Sequence, residues 1–409
     1  MAKEYKDLVV GLDIGTAKVM VVVAEVLPGG ELKLAGLGIA PSNGLKRGVV
    51  VNIDATVHSI QQALKEAELM ADCKITRVYT GITGSHIRGI NSSGMVAVKD
   101  REVTQADVAR VVETAKAINI STDQRLLLVE PQEFIIDGQD VKEPIGMSGI
   151  RLEAKVHIVT GAQSAAENII KCVRRCGLEV EQLMLNPLAS SLSVLTEDER
   201  ELGVALVDIG AGTTDVAIFT NGAIRHTAVI PIAGDLITSD IAMALRTPTK
   251  DAEDIKVENG YAKQLLADPD TQVEVPGLGD RGPRMLSRQA LAGVIEPRIE
   301  EIFSLVHQVM RDSGFEEVLS SGIVLTGGSC IMPGMVELGE DIFLKPVRRG
   351  IPKYTGALSD MVAQARAATV MGLLEEARLA RLRGFKVAQK NGSMKTALGQ
   401  VKDWFVGNF

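Results

Sequence analysis

Two short loops with nearly the same sequence lie far apart in this chain and constrain its fold more than any other feature. Residues 12–16 have the sequence LDIGT, and residues 207–215 have the sequence VDIGAGTTD. Each loop lies between two segments rich in Val, Ile and Ala, which is typical of the tip of a β-hairpin. The repeat predicts two similar halves whose glycine-rich tips face each other across a cleft.

The residue types in both loops suit a polyphosphate with a bound metal ion. Glycines let backbone N–H groups approach a phosphate closely, and successive N–H groups form an anion-binding concavity. Threonine hydroxyls and the ammonium group of Lys18 add further donors and charge. Asp13 and Asp208 are predicted to hold Mg²⁺ through its water ligands, because this ion keeps much of its hydration shell. The predicted phosphate-binding residues are Asp13, Gly15, Thr16, Ala17, Lys18, Asp208, Gly210, Ala211, Gly212, Thr213 and Thr214.

The bulk composition narrows the class of protein. With 409 residues, 46% of them hydrophobic and 23% charged, the chain is suited to a globular protein of two or three domains. The net charge of -8 argues against a nucleic-acid partner. No apolar stretch approaches the ~18 residues of a membrane-spanning helix, and the first residues do not form a signal peptide. The cysteines complete no zinc pattern, so we expect unpaired thiols in a reducing cytoplasm.

Apolar periodicity predicts a coarse order of strands and helices. The first 40 residues predict three strands, and Asp54 is the predicted N-cap of a helix over 55–70. Alternation of strands and helices predicts α/β layers, and residues 84–163 change in character and look like a small α+β unit. Further predictions are a helix over 104–117 capped by Thr104, helices over 234–245 and 250–259, an exposed loop at 267–284, a long helix over 287–312, a strand over 323–328 and a single helix over 355–382.

A third glycine motif, LTGGS at 325–329, completes a set. The succession DIGT, DIGxGTTD and TGG resembles the phosphate 1, phosphate 2 and adenosine motifs of the actin-like ATPase superfamily. This resemblance implies a duplicated, two-lobed, ribonuclease H-like α/β fold that binds ATP and Mg²⁺. Glu253 and Lys256 match a ribose-contacting Glu-x-x-Lys spacing of that superfamily; two exposed residues one helical turn apart are the alternative. The implied adenosine-binding residues are Gly234, Glu253, Lys256, Gly327, Gly328 and Ser329.

Within this superfamily the chain resembles the FtsA family of bacterial cell-division proteins nearly end to end. The motifs that carry the resemblance are GITGSHI at 81–87, LASS at 188–191, TEDERELG at 196–203 and VIEPR at 294–298. The implied subdomains are a first lobe core of 1–83 and 164–195, an inserted SHS2-like subdomain of 84–163, a second lobe core of 196–240 and 305–383, and a small subdomain of 241–304.

The same resemblance implies partners and a place of action. Members of the family bind the C-terminal tail of the tubulin homologue FtsZ through the small subdomain, here 241–304, and Arg298 matches a position implicated in that contact. A solvated helix residue is the alternative for Arg298. The resemblance also implies self-association into an actin-like filament, contacts with other divisome proteins, and attachment to the cytoplasmic face of the inner membrane at the division septum.

The chain departs from part of the superfamily at Asn186. Several members carry Glu-Pro-x-Ala-Ala here, with a Glu that orients the water attacking the γ-phosphate, whereas this chain has NPLAS at 186–190. An amide cannot act as a base, although it can position a water. Phosphoryl transfer depends chiefly on positioning and charge stabilisation, so slow turnover is compatible with Asn186. We expect ATP to act as a structural ligand and conformational switch with weak hydrolysis.

The C-terminal segment combines a basic linker with an amphipathic pattern of apolar residues. A polar, basic linker is predicted at 384–393, and at helical spacing the apolar residues of 394–409 fall on one face. A helix this short is marginal in water, so its apolar face needs a partner. The protein's own core and a groove on another protein are alternatives to an anionic membrane surface, which the resemblance favours. The predicted membrane-binding residues are Met394, Leu398, Val401, Lys402, Trp404, Phe405 and Phe409.

Two other functions occur within the same superfamily. A sugar kinase would need a cleft Asp as the base for a sugar hydroxyl, and the sequence offers no clear candidate. A chaperone would continue past the ATPase region with a large substrate domain, whereas a short helix is expected to end this chain. The leading prediction is an ATP-binding adaptor that polymerises and ties FtsZ to the membrane.

Overall fold

The computed structural model describes residues 7–279 and 281–390, with residues 385–390 described by their backbone alone. The first part of the chain forms a sheet and one of its covering helices. Its elements are β1 (Leu8–Ile14), β2 (Lys18–Val26), β3 (Leu32–Pro41), β4 (Leu45–Lys46), β5 (Val49–Val50), α1 (Ile53–Ala71) and β6 (Arg77–Ile82). The strands β1, β2 and β3 pair antiparallel, and β6 pairs parallel with β1. The three strands predicted for the first 40 residues are confirmed.

An α+β insertion follows β6. Its elements are β7 (Arg88–Ala97), α2 (Gln105–Ala115), β8 (Gln124–Ile136), β9 (Gln139–Val141) and β10 (Arg151–Ala162). The four strands form an antiparallel sheet in the order β7-β10-β8-β9, and α2 packs on β7 and β10. Thr104 caps α2 as predicted, because its backbone N–H donates to the Asp107 carboxylate at 3.0 Å while its hydroxyl accepts from the N–H of Asp107.

The chain then returns to the first sheet. The elements here are α3 (Gln163–Arg175), β11 (Glu179–Leu185) and α4 (Asn186–Val194). Strand β11 pairs parallel with β6, so the order of this five-stranded sheet is β11-β6-β1-β2-β3. Buried residues of α1 and α3 pack against one face of the sheet and complete the first lobe.

The second lobe repeats this arrangement. Its elements are α5 (Glu197–Leu202), β12 (Val204–Ile209), β13 (Thr214–Thr220), β14 (Ala223–Ile230), α6 (Gly234–Leu245), α7 (Thr249–Asn259), β15 (Gln272–Val275), β16 (Arg284–Ser287), α8 (Arg288–Ser313), β17 (Ile323–Thr326), α9 (Met335–Phe343), β18 (Val347–Arg349), α10 (Ser359–Val362) and α11 (Ala368–Lys390). An antiparallel meander, β12 to β14, is extended by the parallel strands β17 and β18, in the order β14-β13-β12-β17-β18. The repeated loop correctly predicted two similar halves.

Two helices connect the lobes. Helix α4 leads from the first sheet towards the second, and α11 leaves the second lobe and packs against β1 and α4. Where these helices cross, a Cβ added to Gly372 would lie 1.7 Å from the carbonyl oxygen of Ala189. The two helix backbones are therefore in direct contact, and this crossing ties the lobes together.

The insertion also contacts the second lobe. Arg225 of β14 is buried and forms an ion pair with Glu133 of β8, with 2.6 Å between Nη1 and Oε1. The side-chain amide of Gln132 donates to the carbonyl of Ile224 in β14 at 2.8 Å. A ring nitrogen of His157 lies 2.9 Å from the hydroxyl of Thr227 in the same strand, β14. These polar contacts fix an edge strand of the second sheet to a unit that is covalently part of the first lobe.

The exposed loop predicted at 267–284 is wrong in part. It contains β15, whose Val273 and Val275 are buried in the core of the second lobe. Strand β15 pairs antiparallel with β16. The alternation Val-Glu-Val is brief and surrounded by Pro, Gly and Asp. These turn-forming residues indicated a loop, although the segment contains a buried strand.

The single helix predicted over 355–382 is wrong as well. The chain forms the short helix α10, a 3₁₀ turn at Ala365–Ala367, and then α11. Leu358 has a φ of 67° just before α10, which interrupts helical geometry there. The irregular stretch lets the carbonyl of Ala365 accept from the N–H of Gly327 at 3.2 Å, so tertiary contacts override local propensity.

Helix α11 also corrects the start of the linker predicted at 384–393. Residues 384–390 continue the helix, and residues 391–393 lie outside the described residues. Lys, Ala and Gln at 386–390 are good helix formers, so their polarity does not end the helix.

Helix α1 is capped by Asn52 and not by Asp54 as predicted. Asn52 has an extended backbone, with φ −142° and ψ 108°, and its Oδ1 accepts from the N–H of Ala55 at 3.0 Å. Asp54 lies inside the first turn, where its carboxylate pairs with Arg175 at 2.7 Å on the surface. Both residue types are good N-caps, so the local sequence alone did not distinguish them.

Replacing Asn52 with Ala should lower the free energy of unfolding by about 1 kcal/mol, because the N–H of Ala55 loses its partner. Asp54→Ala is the matched control and should change it by less than about 0.5 kcal/mol, since exposed ion pairs contribute little. Denaturation of both variants in urea measures the difference. A larger loss for Asp54→Ala would contradict the observed cap.

Candidate functional site

A cavity of about 660 Å³ lies between the two lobes. Both hairpin tips line it, together with the segment after β17, the start of α4 and part of α7. The predicted site residues that line it are Asp13, Gly15, Thr16, Ala17, Lys18, Asn186, Asp208, Gly210, Ala211, Gly212, Thr213, Glu253, Lys256, Gly327, Gly328 and Ser329.

The two hairpin tips have the same local geometry. The N–H of Gly15 donates to the carbonyl three residues later at 3.0 Å, and the N–H of Gly210 does the same at 2.9 Å. The tips approach each other closely, because a Cβ added to Gly212 would lie 2.5 Å from Thr16 Oγ1. Backbone from both lobes therefore forms one continuous wall of the cavity.

Three buried carboxylates line the cavity: Asp13 from β1, Asp208 from β12 and Asp215 from β13. Burial raises the pKa of Asp13 to about 6, and the charge of Asp208 acts in the same direction. Burial, together with the charges of Asp208 and Asp13, raises the pKa of Asp215 to about 7. Burial also raises the pKa of Asp208. Removing carboxylates from water and placing them near one another disfavours their anionic forms, so the cavity favours a cation.

A hydrated Mg²⁺ suits this set of donors. Within residues 7–279 and 281–390, no group of three or more Asp, Glu, His or Cys side chains is placed to hold a metal ion directly. Carboxylates from two different lobes suit an ion that retains several of its own waters. Asp13 and Asp208 are the residues that would hold it, and the ion would supply positive charge beside a polyphosphate.

Lys18 brings a cation to the same wall. Its Nζ donates to the carbonyl of Arg366, and burial lowers its pKa against the opposing effect of the Asp13 carboxylate. An ammonium group at this position can act as a donor to an anion held between the tips.

Glu253 and Lys256 line the cavity from α7. Lys256 Nζ lies 2.6 Å from Glu253 Oε2 and donates to Thr238 Oγ1 at 2.8 Å and to the carbonyl of Gly234 at 3.2 Å. The Lys256 side chain is 9% exposed and that of Glu253 is 45% exposed. Lys256 thus anchors α7 to α6, whereas Glu253 is accessible to a ligand hydroxyl.

The third glycine motif packs against the second tip. Gly327 has a φ of 90°, and a Cβ there would lie 2.4 Å from Asp208 Oδ1. The hydroxyl of Ser329 donates to the carbonyl of Gly210 at 2.8 Å. These contacts require glycine at 327 and hold the segment at the edge of the phosphate loop.

Two predicted residues do not line the cavity. The hydroxyl of Thr214 is buried and donates to the carbonyl of Ile232 at 2.8 Å. Gly234 lies behind Ser329, because a Cβ on Gly234 would be 2.4 Å from the Ser329 hydroxyl. Thr214 begins β13 and its hydroxyl points away from the cavity, whereas Thr213 precedes the strand and lines the cavity.

Arg298 lies in α8, outside the cavity lining. Its guanidinium donates to both carboxylate oxygens of Asp240, at 2.6 and 3.0 Å, and also to Glu301. The side chain is 23% exposed, so Arg298 is neither fully solvated nor free of partners.

The predicted membrane-binding segment is the C-terminal part of the chain. Its residues are Met394, Leu398, Val401, Lys402, Trp404, Phe405 and Phe409, and they lie outside the described residues. Among the helices of the described ranges, none has the length and apolar character needed to cross a membrane.

The structure adds cavity residues that the sequence analysis did not assign. Asp215 accepts from the hydroxyl of Thr213 at 3.2 Å, and the hydroxyl of Thr83 donates to it from the first lobe. Both Asp215 and Thr83 belong to motifs noted in the sequence, so a signal for them was present. Gly48, Arg288, Gln364, Ala365, Arg366, Thr369, Met332 and Pro333 also line the cavity but belong to no recognised pattern.

Asn186 begins α4 and lines the cavity. Its Oδ1 is buried and has no hydrogen-bond partner among the described residues. Gly81 makes room for this oxygen, since a Cβ there would lie 2.1 Å from it. Buried acceptors are rarely left unpaired, so the Asn186 oxygen is suited to a water at the ligand site.

Two lobes with the same sheet order, and paired glycine tips over one cleft, define the two-lobed actin-like ATPase fold. The chain is 54% identical over 409 residues to cell division protein FtsA of Pseudomonas aeruginosa, with 98% of each chain covered. It is 52% identical over 406 residues to cell division protein FtsA of Neisseria meningitidis serogroup B, covering 97% of this chain and 98% of that one. The chain belongs to the FtsA family of cell division proteins.

Family profiles agree with this assignment, and solved structures of other proteins share the fold. The profile for cell division protein FtsA matches residues 205–372, and the profile for the SHS2 domain inserted in FtsA matches residues 84–160. The chain is similar to a PilM–PilN type IV pilus biogenesis complex, with TM-score 0.62, 17% identity, and 90% of this chain and 98% of that chain covered. It is also similar to MreB5 of Spiroplasma citri bound to ADP, with TM-score 0.56 and 16% identity, and 95% of this chain and 99% of that chain are covered. A third similar structure is a MamK double helical filament, with TM-score 0.53 and 13% identity, and 90% of this chain and 99% of that chain are covered.

Proposed function

We propose that this protein binds ATP with Mg²⁺ between its lobes and uses the nucleotide as a conformational switch. The observation that carries the proposal is the pair of glycine tips, which come from different lobes and line one cavity with buried carboxylates. A polyphosphate between the tips would contact both lobes at once and would favour one relative arrangement of them. The cavity of about 660 Å³ lies within the size range of small-molecule sites.

Hydrolysis is proposed to be slow. Asn186 offers an acceptor to a water but no base, in contrast to a carboxylate. Turnover should therefore stay below ~1 s⁻¹, the lower end of the range for kinases. The nucleotide then acts mainly through the state that it stabilises.

The nucleotide-bound protein is proposed to polymerise and to anchor FtsZ to the cytoplasmic face of the inner membrane at the septum, where it recruits other division proteins. Membership in the FtsA family supports this role, and a MamK structure with the same fold is a filament. Residues 394–409 would form the membrane anchor. A single short amphipathic helix binds weakly, but a polymer would present many such helices and bind avidly.

The small subdomain of 241–304 is proposed to bind the FtsZ tail. Arg298 lies in this subdomain, and its partner Asp240 directly precedes the subdomain in the sequence. A carboxylate of an acidic tail peptide would compete with Asp240 for the guanidinium, which binds carboxylates bidentately.

Co-pelleting with anionic liposomes tests the proposal. The full chain should pellet more strongly with ATP and Mg²⁺ than without them, and an FtsZ tail peptide should pellet with it. A chain ending at Asn391 should stay in the supernatant. Gly212→Ala should remove the effect of ATP, because a Cβ there would lie 2.5 Å from Thr16 Oγ1 and force the tips apart.

Gly29→Ala is the matched control, since a Cβ at Gly29 would meet nothing within 4 Å. This variant should pellet as the unchanged protein does. Pelleting that is indifferent to ATP in the unchanged protein would overturn the switch. Undiminished pelleting of the chain ending at Asn391 would overturn the membrane anchor.

A further inference from the structure

Asp208, one of the two carboxylates proposed to hold Mg²⁺, is held by hydroxyl groups from two helices. Ser190 Oγ of α4 donates to Asp208 Oδ2 at 2.5 Å. Thr369 Oγ1 of α11 lies 3.0 Å from Ser190 Oγ and 3.4 Å from the same carboxylate oxygen. All three side chains are buried, with Ser190 at 0% exposure, Asp208 at 7% and Thr369 at 9%.

The hydrogen bonds in this cluster have a direction. Each hydroxyl has one proton to donate. Since Ser190 donates to Asp208, Thr369 must be the donor to Ser190 or to Asp208 itself. This series of hydrogen bonds therefore ends on the Asp208 carboxylate, and such bonds strengthen when the carboxylate is anionic and lies out of water. Both hydroxyls face Oδ2 of Asp208, whereas Oδ1 has no hydrogen-bond donor among the described residues and would accept from a metal-bound water.

The corresponding carboxylate of the first tip has no such support. No hydroxyl group of the described residues holds Asp13; the charge beside it is that of Lys18. The two proposed metal-side carboxylates are therefore unequal, because hydroxyl donors hold one of them and not the other.

The helices that supply the hydroxyls are the two that connect the lobes. Ser190 follows Ala189, whose carbonyl oxygen lies against Gly372, and Thr369 lies one turn before Gly372 in α11. The orientation of Asp208 therefore depends on the contact between α4 and α11, and not only on strand β12, which carries Asp208.

We infer that Ser190, supported by Thr369, is the positioning residue of the carboxylate on the Mg²⁺ side. It touches neither nucleotide nor metal, but it fixes Asp208 so that bound Mg²⁺ strengthens nucleotide binding. This inference rests on the proposed ATP–Mg²⁺ site.

The affinity for ATP, measured by calorimetry with Mg²⁺ and again with EDTA, tests the inference. The ratio of the two affinities is the Mg²⁺ enhancement. Ser190→Ala should reduce the enhancement by roughly tenfold and leave the affinity in EDTA within about twofold, because a hydrogen bond to a charged group contributes an energy of this order. Thr369→Val should reduce it less, since Thr369 acts chiefly through Ser190.

Binding of Mn²⁺ in the presence of ATP, followed by electron paramagnetic resonance, gives a second measurement that does not depend on hydrolysis. Ser190→Ala should weaken Mn²⁺ binding as well. The matched control is Ser191→Ala, because the hydroxyl of Ser191 donates to the carbonyl of Leu188 at 2.7 Å within its own helix. This control should keep the full Mg²⁺ enhancement.

Three results would count against the inference. Equal losses of ATP affinity with and without Mg²⁺ in Ser190→Ala would show a merely structural role. An unchanged enhancement in Ser190→Ala would overturn the inference and leave the proposed function intact. If the unchanged protein bound ATP neither with Mg²⁺ nor with EDTA, both the inference and the proposed function would be overturned.

Discussion

Gly372→Ala is expected to lower the free energy of unfolding by about 3 kcal/mol or more, the upper range for overpacking of a protein interior. A Cβ at this position would lie 1.7 Å from the carbonyl oxygen of Ala189 and 2.3 Å from its carbonyl carbon. Both are backbone atoms, so no side-chain rotamer can relieve the overlap. Helices α4 and α11 must separate, which loosens the buried packing around Leu373 and Leu374. Denaturation in guanidinium chloride measures the loss.

The control for this prediction lies in the same helix. A Cβ at Gly384 would meet nothing within 4 Å. Gly384→Ala should therefore stabilise the protein by about 0.5–1 kcal/mol, because alanine has the higher helix propensity. Changes in stability of opposite sign for the two variants would distinguish the effect of close packing at Gly372 from the effect of helix propensity at Gly384. Two equally small effects would contradict the close crossing of α4 and α11.

The cleft carboxylates should make the ligand-free protein less stable near about pH 8 than near about pH 5. The pKa of Asp13 is raised from 3.8 to about 6 and that of Asp215 from 3.8 to about 7. Between pH 3.8 and the raised pKa of each group, the folded state binds more protons than the unfolded state. The free energy of unfolding therefore falls as the pH rises. Each unit of raised pKa corresponds to about 1.4 kcal/mol, and part of the loss already occurs below about pH 5, so a loss on the order of 1–3 kcal/mol is expected for each group between the two pH values.

Other groups titrate in the same range, and a variant isolates the carboxylate effect. Burial lowers the pKa of His157 to about 4, so this histidine destabilises the folded state as the pH falls below its ordinary value of 6.5. Asp215→Asn leaves His157 unchanged and removes one titrating carboxylate. It should be more stable than the unchanged protein near about pH 8, and by a smaller margin near about pH 5, because part of the loss from Asp215 ionisation occurs only above about pH 5.

Urea denaturation at the two pH values measures this difference directly. ATP with Mg²⁺ should also restore most of the stability that the unchanged protein loses at the higher pH, because a bound cation favours the ionised carboxylates. A difference between Asp215→Asn and the unchanged protein that does not vary with pH would contradict the role of Asp215 ionisation.

Much of the site could be predicted from the sequence because its parts are local. The tips around Gly15 and Gly210 each form within a few residues, so their glycines and threonines indicate a turn and its chemistry together. The same holds for Thr104 and Asp107, which cap α2 across a single turn. Asn52 and Asp54 show the limit, since two good capping residues lie close together and only hydrogen-bond geometry distinguishes them.

Residues that depend on contacts between distant segments could not be assigned in this way. The irregular chain before α11 contradicts its helical pattern because Ala365 and Arg366 accept hydrogen bonds from Gly327 and Lys18, far away in the sequence. Thr214 matched a phosphate motif, but strand alternation turns its hydroxyl towards Ile232.

The sequence by itself determined the duplicated strands, the two glycine tips and the carboxylates at their bases, because each is specified by short-range patterns of apolar, small and acidic residues. Only the tertiary structure decided that Gly372 lies against Ala189 and that Ser190 and Thr369 hold Asp208. These contacts join residues on different elements, and their geometry depends on how α4 and α11 pack between the lobes, which no local pattern specifies.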